Sequence, residues 1–266
     1  MKDLTFGQYL PYDSFIHKSD PRTKLLLTLG LIVTAFVSFN FYSLGLVIVF
    51  TIMAMIVSKV PISFYLRSLK SIWFFVLLTA VLNVIYIKGD NLLFSFWIIK
   101  VYAEGIEKAI FIAIRIALLI FISSMLTYTT APTALTDAIE RLLSPLMKIG
   151  IDTHMFAMMM TIAIRFIPTL IEETNKIMSA QKARGANMDS GSLLSRVKAI
   201  IPILIPLLIS SVRRAKELAD AMECRCYHGG KGRTRMNSLK ASWRDAVCTL
   251  SAVLLLAGVI LLNVFL

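Results

Sequence analysis

Acidic residues are scarce in this chain. Asp and Glu number 16 against 28 Lys and Arg, a formal net charge of +12 over 266 residues. Charge of either sign is itself sparse, at 17% of residues. Cysteine is scarcer still: Cys224, Cys226 and Cys248 are too few for a disulfide framework, and the first two suit a reducing compartment. Cys224, Cys226 and His228 lie close in sequence, but a Cys-x-Cys with one histidine lacks a fourth zinc ligand. No metal is therefore expected there, and no cofactor. Gly229-Gly230-Lys231-Gly232 lacks the G-x-x-x-x-G-K-[ST] spacing of a phosphate loop. No nucleophile–base pair and no paired-carboxylate site is found, so no catalytic residue is expected. Near the N-terminus, Asp3, Gln8, Pro11, Asp13 and His17 interrupt any apolar core of signal-peptide type, and no cleaved leader is expected.

What the chain has in abundance is apolar sequence. It is 57% hydrophobic, with a mean hydropathy of +0.75, above the roughly 45–50% of soluble domains. A basic excess on so apolar a protein reads as cytoplasmic loops beside anionic lipid. Aromatic and basic residues are not interleaved as on a nucleic-acid surface, so no nucleic acid is expected as a partner. Runs near the length a bilayer requires occur at about 25–39, 42–57, 71–87, 109–128 and 246–265. After Pro61 a short amphipathic stretch carries Arg67 and Lys70. Asn91 to Ile99 is apolar but too short to cross, and reads as an interfacial or re-entrant piece. The fold class expected is an all-α membrane protein of about five transmembrane helices. Lys2, Lys18, Arg22 and Lys24, then Lys59, Arg67 and Lys70, then the region from Thr130 to Arg244, carry the basic residues. In the other loops Asp90, Glu104 and Glu107 offset Lys88, Lys100 and Lys108. An N-terminus in the cytoplasm and a C-terminus outside satisfy all of them.

Three parts follow: a membrane domain over 1–130, a cytoplasmic region over 131–243, and a last transmembrane helix over 244–266. The middle region is too apolar for a solvated loop and too charged for simple spans. Leu135, Ala138, Ile139, Leu142, Leu143 and Leu146 form one apolar stripe on a helix over about 133–149. Asp137, Glu140 and Arg141 fall on the other side. Pro132 suits the first turn, and Gly150 can end the helix. A longer helix over about 152–184 is apolar and methionine-rich at first, then polar from Glu172. Pro168 marks the change and predicts a kink. After the turn at Ser190-Gly191-Ser192, a third helix over about 193–227 passes from apolar (Ile200 to Ile209) to charged (Arg213 to Glu223). Two long helices with the same order read as a paired lever, each with a cytoplasmic tip.

The two tips compare directly. One reads Ala180-Gln181-Lys182-Ala183-Arg184-Gly185, the other Ala221-Met222-Glu223-Cys224-Arg225-Cys226, with the arginines 41 positions apart. Small neighbours leave a guanidinium accessible in a close-packed contact, where its planar fork binds a carboxylate bidentately. The plain alternative is a helix that ends in Arg-Gly, a common C-cap. The pairing in equivalent helices is what favours a functional role.

These triplets and their surroundings resemble the paired signature motifs of the T component of energy-coupling factor (ECF) transporters, related to the cobalt-transport permease components. Gly7-Gln8-Tyr9-Leu10-Pro11, the stretch Ser14 to Leu25 with His17 and Asp20-Pro21-Arg22-Thr23-Lys24, Leu142-Leu143-Ser144-Pro145-Leu146, and Arg165-Phe166-Ile167-Pro168-Thr169-Leu170 also resemble that family. Ala183-Arg184-Gly185 matches the usual first motif, whereas the second departs from Ala-Arg-Gly by having cysteines about Arg225. The resemblance implies a non-enzymatic coupling subunit between two ABC-type ATPases and a membrane S component that binds vitamins or other micronutrients. Each signature arginine would enter a groove of one ATPase. The expected location is the bacterial plasma membrane.

Met155, Met158, Met159 and Met160 offer a deformable surface for exchangeable partners such as the S component, or else ordinary packing. Arg165 beside Pro168 braces a hinge or snorkels. Arg115 lies inside a span and calls for a structural partner. Lys231, Arg233 and Arg235 read as a basic loop near lipid. A self-contained permease or channel is the competing class. It would place ionisable or broken-helix features at the midplane of several spans, where Arg115 is nearly alone.

Overall fold

The structure, a computed structural model, describes residues 9–87, 91–96, 99–145, 153–185, 193–229 and 242–265. Leu146, Gly150, Ser190, Gly191, Ser192, Lys231, Arg233 and Arg235, named above, lie outside these residues. Among them the chain forms α1 (Pro21–Val37), α2 (Phe41–Ser58), α3 (Ile62–Tyr86), β1 (Leu92–Phe96), β2 (Ile99–Tyr102), α4 (Ala103–Thr129), α5 (Pro132–Leu143), α6 (Thr153–Ala183), α7 (Leu193–Cys224) and α8 (Trp243–Phe265). The fold is that of an all-α membrane protein, with one short hairpin between α3 and α4.

Two elements differ from the sequence expectation. The amphipathic piece after Pro61 is continuous with the third span, because nothing between Arg67 and Ser71 breaks a helix; α3 runs 25 residues. The segment read as interfacial or re-entrant supplies β1. It pairs antiparallel with β2 in the register Leu92↔Tyr102, Phe94↔Val101, Ser95↔Lys100 and Phe96↔Ile99. Apolar and aromatic residues favour strand over one or two turns of isolated helix, which nucleates poorly at that length.

Among the described residues, five helices are long and apolar enough to cross a membrane: α2, α3, α4, α6 and α8. The number is the one expected, with a different membership. Helix α1 has 17 residues, and the methionine-rich first half lets α6 qualify by length and composition. Much of the apolar surface is uncovered, as on α3, where Trp73, Phe74, Phe75, Leu77 and Leu78 are exposed. Exposure on this scale requires lipid or protein as its solvent.

The chain divides into two compact units, with the boundary inside α5 between Ala138 and Ile139. In the first, α1, α2, α4 and α8 bury Ala35, Leu44, Val47, Leu118 and Val259, and Leu31, Ile122 and Leu255 form a second cluster. A third cluster joins Val60, Tyr65 and Tyr128. Gly105 is needed where α4 starts against the end of α3: a Cβ there would sit 3.3 Å from the Val84 and Ile87 carbonyl oxygens. Such close backbone approach is how helices associate in lipid, where no hydrophobic force drives them together.

Polar groups tie off the helix ends of this unit. Asp20 caps α1, accepting from the Arg22 N–H at 2.9 Å and from Arg22 Nη2 at 2.7 Å, with Pro21 in the first turn. Burial alone would raise the Asp20 carboxyl, but the Arg22 bonds and charge win and hold it below the ordinary carboxylate value. The Asp20 backbone N–H donates to buried Asp245 Oδ1 at 2.8 Å, and the Ser242 N–H to Asp245 Oδ2 at 2.7 Å. Lys24 Nζ donates to the His17 and Thr129 carbonyls, each at 3.0 Å. His17 Nε2–H donates to the Leu10 carbonyl at 3.0 Å, while Ser14 Oγ–H donates to Nδ1 at 2.6 Å. Burial holds the imidazole below its usual value. At the other end of α1, Arg115 Nη2 donates to the Ser38 carbonyl, and Asn263 Nδ2 donates to that of Val37 at 2.7 Å. The Arg115 guanidinium also lies 4.7 Å from the Phe111 ring centre. The intramembrane cation is thus a cap on a helix C-terminus, where a positive charge is favoured.

Candidate functional site

The second unit contains α6 and α7, of 31 and 32 residues. A helix of that length carries its end roughly 45 Å from its start at 1.5 Å per residue. How these helices stop decides what their tips display. At the end of α6 the Arg184 N–H still reaches back to the Ala180 carbonyl at 3.1 Å. The Gly185 N–H then bonds Lys182 O at 3.0 Å, with Gly185 at φ +85°. At the end of α7 the Cys226 N–H bonds Glu223 O at 2.9 Å and the Tyr227 N–H bonds Met222 O at 3.0 Å. Cys226 has φ +56°. These two bonds with a left-handed residue between them are a Schellman cap.

Each arginine therefore occupies the same place, the last residue before a left-handed one. Arg184 and Arg225 are both exposed. Ala183, Gly185, Cys224 and Cys226 are exposed beside them, and both cysteines are free thiols. The common-C-cap description and the equivalence of the two tips are both true: the cap is what presents the arginine. Cys226 takes a conformation that glycine adopts more easily.

The other residues singled out from sequence lie apart from the tips. Met155, Met159 and Met160 are exposed near the start of α6, and Met158 is half-buried. Arg165 and Pro168 are exposed one turn apart in the middle of α6, which continues as helix through Pro168. The first half of α7 is exposed on several sides, at Ile200, Ile201, Leu204, Ile205, Leu208 and Ile209, with Ile203 buried. His154 Nδ1 and Glu140 Oε1, 3.0 Å apart, link α6 to α5.

One set of residues comes to light only in the packing of α6 on α7. Glu173 of α6 accepts from Ser210 Oγ–H and, at 2.9 Å, from Arg214 Nη2 of α7. Beside this clasp an apolar groove is lined by Ile162, Phe166, Leu170, Ala215, Leu218 and Met222. Its signal was available: Glu173 and Arg214 have the same 41-residue spacing as the two tip arginines.

Fold and site together define a multi-pass membrane protein with two long helices that end in equivalent exposed arginines. The family model CbiQ, described as cobalt transport protein, matches residues 13–236. The energy-coupling factor transporter transmembrane protein EcfT of Clostridium kluyveri is 52% identical over 266 residues, covering 100% of this chain and 98% of the relative. The EcfT protein of Brevibacillus brevis is 49% identical over 255 residues, 96% of each chain. That of Bacillus subtilis is 42% identical over 257 residues, 97% of each. The chain belongs to this family of energy-coupling factor transporter transmembrane proteins.

Proposed function

We propose that the chain is the mechanical link of its transporter, passing the ATP-driven movement of two cytoplasmic ABC-type ATPases to a substrate-binding S component for uptake of vitamins or other micronutrients. The observation that carries this reading is the matched pair of tips. Arg184 and Arg225 stand exposed at the same position of two long helices, each with small neighbours and a left-handed residue behind it. Each guanidinium enters a groove of one ATPase and pairs there with a carboxylate, a contact whose planar geometry fixes direction as well as position. Residues 131–243 form the cytoplasmic coupling domain, while 1–130 and 244–266 hold the membrane, N-terminus inside and C-terminus outside. ATP chemistry resides in the partner subunits. The exposed Met155, Met159 and Met160, with the half-buried Met158, face the S component, where flexible thioethers suit an exchangeable partner. Arg165 and Pro168 form the hinge between the apolar and polar halves of α6.

The test is a detergent pull-down of the tagged chain beside an Arg184→Glu, Arg225→Glu double variant, with partners identified by mass spectrometry. Two ATPases and small membrane proteins should accompany the wild type. The variant should lose most of the ATPases while keeping the membrane partners. A chain that purifies alone and moves solute in liposomes would instead be a self-contained permease.

A further inference from the structure

We infer that Glu173, Ser210 and Arg214 form an ionic pivot on a local two-fold axis between α6 and α7, which keeps the two arginine tips in register. This rests on the coupling role proposed above and deepens it.

Adding 41 to a position of α6 gives its counterpart in α7: Arg184 maps to Arg225, Ala180 to Ala221, Glu173 to Arg214, and Glu172 to Arg213. Glu173 and Arg214 are thus the same distance from their respective tips, 11 positions, or roughly 16 Å along a helix. They are also the residues in contact. When two like elements are related by a two-fold, a residue that touches its own counterpart lies on the axis. Two identical charges would repel at such a point. Here the counterparts carry opposite signs, so the contact on the axis attracts.

The surroundings say what the pair does. Glu173 and Arg214 side chains are 21% and 38% exposed, too open for the pair to add much stability. It stands next to the apolar groove between the two helices. Apolar contacts slide past one another at small cost, whereas one polar pair in an apolar seam selects a single register. The carboxylate is also divided between two donors one helical turn apart. Oε1 takes the Ser210 hydroxyl and Oε2 takes Arg214 Nη2. Arg214 Nε is buried without a hydrogen-bond partner among the described residues. If Oε1 moves from Ser210 to Nε, the helices keep their link through a bidentate fork. The clasp accordingly has a second arrangement with as many bonds, as a turning point between two discrete states requires.

The experiment uses the complete complex, with spin labels at exposed Ala180 and Ala221 after the native cysteines are replaced by serine. The distance between labels is measured with and without ATP. The wild type should give one narrow distribution that shifts when ATP binds. Glu173→Arg and Arg214→Glu should each broaden it about twofold, and combining them should restore the narrow form, as a true pairwise interaction requires. The isosteric Glu173→Gln, which keeps the side-chain volume, should broaden it by less. The pivot is overturned if Glu173→Arg leaves the distribution unchanged, or if the combined swap stays as broad as the single variants. A wild-type distance that ignores ATP would instead sink the coupling reading, whatever the widths show.

Discussion

Cys226 shows how much one backbone angle contributes to the site. Its φ of +56° makes the bonds from Cys226 and Tyr227 back to α7 that leave Arg225 at the edge of the helix. A non-glycine residue in the left-handed region costs roughly 1 kcal/mol, part of which glycine gives back through its freer unfolded chain. Cys226→Gly should therefore raise the thermal midpoint in detergent, by about 0.5 kcal/mol in stability. Cys226→Val should lower it by more than that, because branching at Cβ adds strain at positive φ. Equal midpoints for all three would remove the strain argument. Association with partners should survive the glycine change, since the arginine keeps its place.

At the scale of elements, buried polar groups tie helix ends of the first unit together. Asp245 satisfies two N–H groups at once, one at the start of α8 and one before α1, across 225 residues of chain. Lys24 reaches the last carbonyl region of α4 from the first turn of α1. The end of α4 and the start of α8 are thus tied to neighbouring buried polar residues at the start of α1. Asp245→Ala leaves both donors without their acceptor and should cost about 2–4 kcal/mol, read from unfolding in detergent. Asp245→Asn should cost less, because its amide oxygen can still accept one of the two. A loss under about 0.5 kcal/mol for the alanine variant would mean that water replaces the carboxylate there.

On the scale of the whole molecule, charge is distributed unevenly along the chain. A net charge of +12 lies mostly in the segments read as cytoplasmic, while α2, α3 and α8 expose apolar residues with few charges among them. The proposed orientation has a direct consequence for the thiols. An impermeant maleimide should label Cys224 and Cys226 in inverted membrane vesicles and leave them unlabelled in intact cells with the outer face exposed. A cysteine placed at Leu261, near the C-terminal end of α8, should label from the outer face only. The reverse pattern would invert the topology that the basic residues imply.

Much of this protein was legible from local pattern. Pro132 and the i, i+3, i+4 stripe mark α5, the order of apolar and charged residues marks α6 and α7, and Ala183-Arg184-Gly185 and Cys224-Arg225-Cys226 mark their tips. Those signals act over one or two turns, the range within which a helix forms and ends. Arg67 and Lys70 misled because a charge signals the membrane surface without breaking a helix, and α3 continues through both. The segment after α3 became a strand only because β2 was there to pair with it. Which side chain of α6 meets which of α7 depends on how two helices lie against each other, so the Glu173–Arg214 contact came from the structure even though its spacing was in the sequence. The same holds for Asp245 beneath Asp20 and for Arg115 on the Ser38 carbonyl. The helix interiors and the two arginine tips could be read from sequence because they depend on neighbours along the chain, whereas the starts of α3 and α4 could not. Which polar groups share a partner came from the fold alone, because burial removes the water that would otherwise satisfy them and leaves only the groups that packing brings near.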